Sequence, residues 1–238
     1  MIDLSADLGE GADGEEQIWP LIDSANVACG GHVGDEQSMR DAVARAREHG
    51  VRFGAHPSYP DRENFGRMSL SIAHDELRAS LIAQLDALRA FAPLHHVKPH
   101  GALYNDAHRD RALAEVIVDA IGDLAIVCSD SSQMATVARE RGLRVIREAF
   151  ADRRYEPDGS LMSRKLAGSL LTVEEAAQQA RTLANEGAVI ARDGSRISIP
   201  FDTICIHADM QHAVERLRAI RAVLVLLPAR RGEGAAGG

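Results

Sequence analysis

The sequence contains few cysteines and few aromatic residues, and it has no long apolar run. Its three cysteines, Cys29, Cys128 and Cys205, are widely separated and form no CxxC pair. We therefore expect buried free thiols, and neither a disulfide framework nor a cysteine-based metal cluster. No apolar run approaches the roughly 20 residues that cross a bilayer, and the first residues lack the basic and apolar regions of a secretory signal. These absences predict a cytoplasmic protein.

Positive charge is also in short supply. The chain has 27 Lys and Arg residues against 35 Asp and Glu residues, which gives a formal net charge of −8 at pH 7. A protein with this balance has no general attraction for nucleic acid phosphates or anionic membranes. We therefore expect neither nucleic acid nor a membrane among its partners.

The chain does show a regular alternation of short apolar runs and longer amphipathic segments. The predicted strands are Ile2–Ala6, Ala25–Cys29, Val51–Ala55, His95–Pro99, Leu124–Cys128, Arg144–Glu148, Ala188–Ala191 and Thr203–Ile206. The predicted helices are Asp35–His49, Ala73–Phe91, Arg109–Ile121, Ser131–Arg141, Thr172–Glu186 and Met210–Leu224. Strands that alternate with helices form parallel sheets, and about eight repeats favour closure of the sheet. We predict an α/β fold, a TIM-like (β/α) barrel of seven or eight strands, as one domain over residues 1–228 with a flexible tail at 229–238.

Several helix starts carry capping signals. Asp35 and Asp130 are each predicted to cap the helix that follows them. Thr172 and Glu175 have the spacing of a capping box.

Nearly every predicted strand ends in a side chain that can bind a proton or a metal ion. These residues are Asp7, Glu10, His32, Asp35, His56, Lys98, His100, Asp130, Glu148, Asp152, His207 and Asp209. In (β/α) barrels the carboxyl ends of the strands meet at one mouth, where active sites lie. The pattern therefore predicts a site rich in histidine and acidic residues at the barrel mouth.

Some polar residues have a plainer interpretation. Histidines on helices or helix starts are predicted to lie at the surface or to cap helices: His49, His74, His108 and His212. His96 lies one layer deeper than Lys98 and is predicted to be a hydrogen-bonded core residue. Strand-end histidines and acids could also supply three zinc ligands and an open position. However, there is no HExxH or HxH motif, so a metal remains an open alternative.

A glycine-rich segment lies before the first long helix. Gly30, Gly31 and Gly34 form neither a Walker motif nor a complete GxGxxG, and a tight turn is the plain interpretation. They also lead into a helix amino terminus, whose N–H groups and dipole favour anions. We therefore consider the hypothesis that a substrate carboxylate or phosphate binds there.

Several long motifs resemble one known family. IDLSADLGEG, SANVACGGHVGD, GAHPSYPDRENFGR, HVKPHGALYN, EAFADRRYEPDGSL and DTICIHAD occur in the order typical of the LamB/YcsF family. The resemblance extends from Ile2 to about Leu224. It departs from the usual pattern at Ser5, Gly31, Ser58 and Ala208, where the family has Asn, Phe, Gly and Gly.

The resemblance implies both a fold and an activity. The fold is a barrel of the glycoside hydrolase/deacetylase type. The activity is that of the A subunit of the bacterial 5-oxoprolinase, which hydrolyses the cyclic amide 5-oxoproline to glutamate together with subunits B and C. It also implies ATP, with Mg expected and held by the partner subunits, because this chain lacks an obvious nucleotide-binding loop. A homo-oligomer is a further expectation.

The strand-end pattern and the family motifs together select the site residues. The predicted catalytic residues are Asp7, His56, Lys98, His100, His207 and Asp209. The predicted substrate-binding residues are Glu10, His32, Arg67, Tyr104 and Asp152. If a metal is bound, its candidate ligands are Asp7, His56, His100 and His207.

We assign these residues provisional roles in ring opening. Asp7 or His207 is the expected base, with Asp209 orienting it, and His100 or His56 is the expected acid. Lys98 and Arg67 would meet anionic oxygens, and Tyr104 would hydrogen-bond the substrate. Two other functions stay open: a metal-dependent carbohydrate or N-acetyl deacetylase, and a non-catalytic subunit that presents substrate to its partners.

Overall fold

The structure is a computed structural model that describes residues 2–164 and 166–226. Seven parallel strands close into a barrel in the order β1-β2-β3-β4-β5-β6-β9. These strands are β1 Asp3–Leu8, β2 Ser24–Ala28, β3 Arg52–His56, β4 His96–Val97, β5 Ala125–Cys128, β6 Val145–Phe150 and β9 Thr203–His207. Two further strands, β7 Ala188–Ile190 and β8 Arg196–Ser198, form a separate antiparallel pair.

Seven α-helices accompany the strands in the described part of the chain. They are α1 Glu36–His49, α2 His74–Arg89, α3 Gly101–Arg109, α4 Arg111–Ile121, α5 Gln133–Glu140, α6 Val173–Glu186 and α7 Ala213–Val225. Asp35 caps α1 by accepting a hydrogen bond from the Ser38 backbone, and Thr172 and Glu175 form the predicted capping box of α6. The TIM-like α/β barrel predicted from the alternation is confirmed.

The barrel strands separate an apolar layer from a polar interior. Leu4, Ala6 and Leu8 of β1 are fully buried in the apolar core. The alternate residues of the strands hydrogen-bond one another inside the barrel: Thr203 donates to Ser5 on the neighbouring strand, at 2.9 Å, and Asn26 bonds to His96, at 2.8 Å. Because strand side chains alternate between faces, one face packs on the helices and the other fills the barrel with polar groups. The predicted core role of His96 is confirmed by its burial and its bond to Asn26.

The predicted strand Ala188–Ala191 forms, as β7 Ala188–Ile190, but its expected place in the barrel is wrong. Residues Ala188–Ile190 pair with Arg196–Ser198 in a hairpin outside the barrel, and β6 pairs directly with β9. The turn contains Asp193 and Gly194, and Gly194 has a positive φ of 87°. An Asp-Gly pair between two short apolar runs is a hairpin signal, and it would have placed this strand in a hairpin and not in the barrel.

Two helix predictions also need correction. The predicted helix Arg109–Ile121 begins two residues later, as α4, because Asp110 is its cap, and Arg109 is the last residue of a separate helix that was not among the predicted ones, α3 Gly101–Arg109. The cap of α5 is Ser132, whose hydroxyl accepts a hydrogen bond from the Ala135 backbone. Asp130, predicted to be this cap, instead pairs with Arg139 at the surface.

The remaining composition-based predictions concern cysteines, membrane spans and the tail. All three cysteines are buried and free, as predicted. Within residues 2–164 and 166–226, no helix is long and apolar enough to cross a membrane. The predicted tail at 229–238 lies outside the described residues.

Candidate active site at the barrel mouth

A cavity of about 1380 Å³ opens at the carboxyl ends of the barrel strands. Its lining includes most of the predicted site residues: Asp7, Glu10, His56, Arg67, Lys98, His100, Tyr104, His207 and Asp209. His32 and Asp152 do not line it and lie behind other residues of the site. The cavity is larger than the roughly 300–1,000 Å³ typical of small-molecule pockets.

Asp7, at the end of β1, is the central carboxylate of the cavity floor. Its Oδ1 accepts hydrogen bonds from Lys98 Nζ at 2.9 Å and from Asn26 Nδ2 at 2.8 Å. Its Oδ2 lies 3.4 Å from His56 Nε2. Burial alone would raise the pKa of Asp7, but the charges of His56 and Lys98 hold it well below its usual range. Asp7 is therefore an anion at neutral pH.

Lys98, which follows β4, is the buried cation that compensates the negative charge of the cavity floor. Its Nζ lies 2.9 Å from Asp7 Oδ1, 3.1 Å from Glu148 Oε2 and 3.0 Å from Cys205 Sγ. Burial opposes the charge, but Asp7, Cys205 and Glu148 together raise the pKa of Lys98 well above its usual value. The ammonium group is thus a fixed positive charge at the cavity floor.

Four residues form a histidine cluster beside this floor: Glu10, His32, His56 and His100. His56 Nε2 lies 3.0 Å from His100 Nδ1, and the rings of His32 and His100 are stacked with centroids 3.7 Å apart. His32 Nε2 lies 3.1 Å from Glu10 Oε1. Gly101, the first residue of α3, allows this helix to lie close to Gly66, which is itself packed against His32 and His100. Gly101 has a positive φ, and a Cβ there would come within 3.0 Å of the Gly66 carbonyl oxygen.

Burial dominates the electrostatics of the histidine cluster. It lowers the pKa of His32 to about 3 and also lowers the pKa of His100, in both cases assisted by His56. The pKa of Glu10 rises to about 7, chiefly because burial disfavours its charge. Burial opposes protonation of His56, but Asp7 outweighs it and raises its pKa. Perturbed titrations concentrated in a cleft are typical of functional sites.

His207, at the end of β9, lies on the opposite side of the cavity. Asp152 Oδ2 accepts from the His207 backbone N–H at 3.0 Å and lies 2.9 Å from its Nδ1. Burial would raise the pKa of Asp152, but contact with His207 lowers it to about 2. The ring of Phe150 stacks on His207 with centroids 5.4 Å apart. His207 is therefore held with Nε2 free of both contacts.

The structure reassigns the carboxylate partner of His207. Asp209, predicted to orient this histidine, instead pairs with Arg67 and lies 3.5 Å from Arg164 at the cavity rim. Asp152, predicted to bind substrate, makes the orienting contact.

Sequence reasoning also missed residues of this site. Glu148 stood among the strand-end residues but was not selected, and Asn26 and Arg153 were not singled out. Glu148 is buried and lies against Lys98, and Arg153, also buried, lines the cavity. Strand-end position could have selected Glu148, whereas Arg153 lies in the loop that follows β6.

The glycine-rich segment does not form the anion site that we considered. The carboxylate of Asp35 already caps the amino terminus of α1, and residues 30–38 do not line the cavity. Arg62 Nη1 donates to the carbonyl oxygens of Gly30 and Gly34. The segment is a tight turn, as in the plain interpretation.

Gly31 leaves room for two buried side chains, those of Ser58 and Gln84. A Cβ at this position would come within 3.0 Å of Gln84 Oε1 and Ser58 Oγ. Ser58 and Gln84 are buried and joined by two backbone-to-amide hydrogen bonds of 3.0 Å. The space of a side chain at position 31 is thus filled by Ser58 and Gln84.

The closed parallel barrel and the groups at its mouth define the class of this protein: an α/β barrel whose buried ionisable side chains face a large cavity. The chain belongs to the LamB/YcsF family, whose sequence pattern matches residues 2–228. The family predicted from the motifs is confirmed.

Relatives extend this likeness over almost the whole chain. Two proteins from Staphylococcus aureus strains JH9 and Newman, each named as the A subunit of 5-oxoprolinase, are 42% identical to it over 239 residues. These matches cover 94% of this chain and 96% of each relative. The crystal structure of the lactam utilization protein from Thermus thermophilus is similar, with a TM-score of 0.87 and 41% identity over 94% of this chain and 96% of that one. The family is thus associated with 5-oxoprolinase, an enzyme of several subunits.

Proposed function

We propose that this chain is the A subunit of an ATP-dependent 5-oxoprolinase and opens the ring of 5-oxo-L-proline to give L-glutamate. The observation that carries the proposal is the fixed Asp7–Lys98 ion pair at the cavity floor, flanked by His56 and His100 on one side and His207 on the other. Such a floor can stabilise an oxyanion while nearby imidazoles move protons. The names of the relatives supply the substrate class.

The proposed reaction needs activation because a lactam is stabilised by resonance. Transfer of the γ-phosphoryl group of ATP to the amide oxygen gives a phosphorylated imidate and ADP. Water adds to C5, the C–N bond breaks as a proton reaches nitrogen, and a second water converts the resulting acyl phosphate to glutamate and phosphate. We assign the phosphoryl transfer, with ATP and Mg²⁺, to subunits B and C, because this sequence has no Walker motif.

The geometry distributes the remaining roles among residues of this chain. His207 is the proposed base that takes the proton of water, since Asp152 holds Nδ1 and leaves Nε2 free of that contact. His100 or His56 gives the proton to nitrogen. Lys98 and Arg67 meet the anionic oxygens, and Tyr104, which lines the cavity and whose hydroxyl accepts from the Ser129 backbone, is the proposed hydrogen-bonding partner of the substrate once its O–H turns from Glu148.

The size of the cavity supports the proposed division of labour. A volume of about 1380 Å³ is much greater than 5-oxoproline alone requires. The cavity therefore has room for a phosphorylated intermediate and for a segment of a partner subunit.

The experiment is a 5-oxoproline-to-glutamate assay of the chain alone and with subunits B and C, with and without ATP. We expect glutamate only when all subunits and ATP are present. Asp7→Asn should lower the rate on the order of 10²–10³-fold, because Lys98, the proposed partner of the oxyanion, would lose the carboxylate that holds it in place. Asp3→Asn, four residues earlier on the same strand, is the matched control and should retain the rate.

Two results would contradict the proposal. One is an unchanged rate with Asp7→Asn in a folded complex. The other is glutamate formation by subunits B and C without this chain. An assembled complex that binds 5-oxoproline but shows no role for any mouth residue in turnover would favour a substrate-presenting subunit.

A further inference from the structure

Two imidazoles of the histidine cluster face each other in an unusual way. His56 Nδ1 lies 2.7 Å from the carbonyl oxygen of Lys98, and His100 Nε2 lies 3.0 Å from that of Phe65. A carbonyl oxygen can only accept a hydrogen bond, so each of these nitrogens carries a hydrogen. In the neutral rings, the other two nitrogens therefore present lone pairs, and these lie 3.0 Å apart.

Two facing lone pairs repel each other unless a positive charge lies between them. Two carboxylates add to the same point: Glu10 Oε1 lies 3.4 Å from His100 Nδ1 and 3.8 Å from His56 Nε2, and Asp7 Oδ2 lies 3.4 Å from His56 Nε2. All four side chains are at least nine-tenths buried. The geometry thus brings four groups that can each donate an electron pair close to one point.

The spacing of these atoms matches the ligands of a small divalent cation. Ligands about 2.0–2.1 Å from a tetrahedral zinc ion lie about 3.3 Å from one another. The distances among Glu10, His56 and His100 are 3.0, 3.4 and 3.8 Å. A shared proton would need only the two nitrogens and would leave the convergence of Glu10 unexplained.

Neighbouring groups support the three donors as they do in metal sites. Histidines that bind metals usually donate their second N–H to a carbonyl or carboxylate, which fixes the ring orientation. Both His56 and His100 make such a contact with a backbone carbonyl. The third donor, Glu10, is held by His32 Nε2 at 3.1 Å, and His32 stacks on His100.

We propose that His56 Nε2, His100 Nδ1 and the Glu10 carboxylate bind one divalent ion of the zinc class, with a fourth position open to the cavity beside Asp7. Two histidines and one glutamate with an open position form a known type of catalytic zinc site. If the proposed function holds, the ion supplies a Lewis acid at the cavity floor and replaces the proton-donor role proposed above for His56 or His100, whose ring nitrogens are then both occupied. Binding itself does not depend on that function.

The test uses the full chain, stripped of metal with a chelator and then titrated. We expect one equivalent of Zn²⁺ by calorimetry, and one equivalent of Co²⁺ that produces the intense visible absorption of a four-coordinate ion. His56→Gln and Glu10→Gln should each weaken binding by more than the roughly 10–100-fold typical of losing a supporting residue. His95→Gln, at the opposite end of the barrel, is the matched control and should leave binding unchanged.

Circular dichroism and thermal unfolding identify variants that fail to fold. If His56→Gln does not fold, Glu10→Gln still tests the site, because glutamine has nearly the same shape as glutamate. The proposal is overturned if the folded wild-type chain binds no Zn²⁺ or Co²⁺ stoichiometrically, or if binding survives both substitutions. It is also overturned if metal-free protein shows by NMR a proton shared between His56 and His100 that added metal does not displace. Stoichiometric binding by this chain, with no 5-oxoproline turnover in the complete complex supplied with ATP, would refute the proposed function and leave the metal site standing.

Discussion

The two ends of the barrel carry polar side chains on the same strands but keep them in different environments. At the amino end, Asp3 pairs with Arg52 and accepts a hydrogen bond from Ser24, and the Arg52 side chain is half exposed. At the mouth, Asp7 and Lys98 pair with less than a tenth of either side chain exposed. Two aspartates only four positions apart on β1 thus form a partly exposed ion pair and a buried one.

The two ion pairs differ in the free energy needed to keep them in the folded protein. An exposed ion pair contributes about 0–1 kcal/mol and costs little to keep. Burying two charges costs several kcal/mol per ion before their attraction is counted, so such a pair is weak evidence for stability. Because charges at the amino end remain hydrated, barrel closure alone does not require the buried charges of the mouth, and catalysis is the reason we propose for them.

The largest expected contrast between the two ends is in turnover. His207→Gln should lower ring opening on the order of 10²–10⁴-fold, because it removes the proposed base. His95→Gln, at the amino end, should leave the rate unchanged. The measurement is kcat for glutamate formation in the complete complex, and near-normal turnover by the His207 variant would refute its assignment as base.

A second contrast concerns stability. Lys98→Met should lower the free energy of unfolding by about 3–5 kcal/mol, because Asp7 and Glu148 would lose their buried counter-charge. Arg52→Met should cost no more than about 1 kcal/mol, since its partner Asp3 can be hydrated. Denaturant unfolding of the two variants gives both values. Equal losses would show that the two ends do not differ as we describe.

The smallest effect is a pH dependence carried by His96, which lies deep in the barrel. Burial, assisted by His95, Lys98 and Arg52, lowers the pKa of His96 to about 3, whereas its unfolded value is about 6.5. Below pH 6.5 the unfolded chain therefore binds a proton that the folded chain does not. Stability is complete above pH 6.5 and falls as the pH decreases toward 3, by about 2 kcal/mol at pH 5.

The check compares unfolding free energies at pH 7.5 and pH 5. His96→Gln should be less stable at pH 7.5 because packing is lost, but it should lose about 2 kcal/mol less than the wild type between the two pH values. His49→Gln, at the exposed end of α1, should keep the wild-type pH dependence. An unchanged dependence in the His96 variant would mean that the barrel interior admits water or a proton.

The part of the site that could be predicted depends on strand periodicity. Asp7, His56, Lys98 and His207 follow or end short apolar runs, and parallel strands bring such positions to one edge. These four residues do line a single cavity. Their exact roles were not accessible, because periodicity says which end of a strand a residue occupies and not which group it contacts.

The contact between Asp152 and His207 shows why the rest could not be predicted. With Ala188–Ala191 placed in the barrel, one strand would separate the strands that precede Asp152 and contain His207. In the structure that segment forms an outer hairpin, so β6 and β9 are neighbours and the two side chains meet. One misassigned strand therefore hid this orienting contact, although the strand-end pattern includes both residues.

The filled space beside Gly31 has a consequence for how such a chain could change over time. A phenylalanine at position 31 conflicts with Ser58 and Gln84 as they now stand, so these positions form an epistatic set. A large side chain at position 31 would overpack this buried space unless both neighbours changed or moved with it. Gly31→Phe therefore becomes tolerable only together with changes that make room at Ser58 and Gln84.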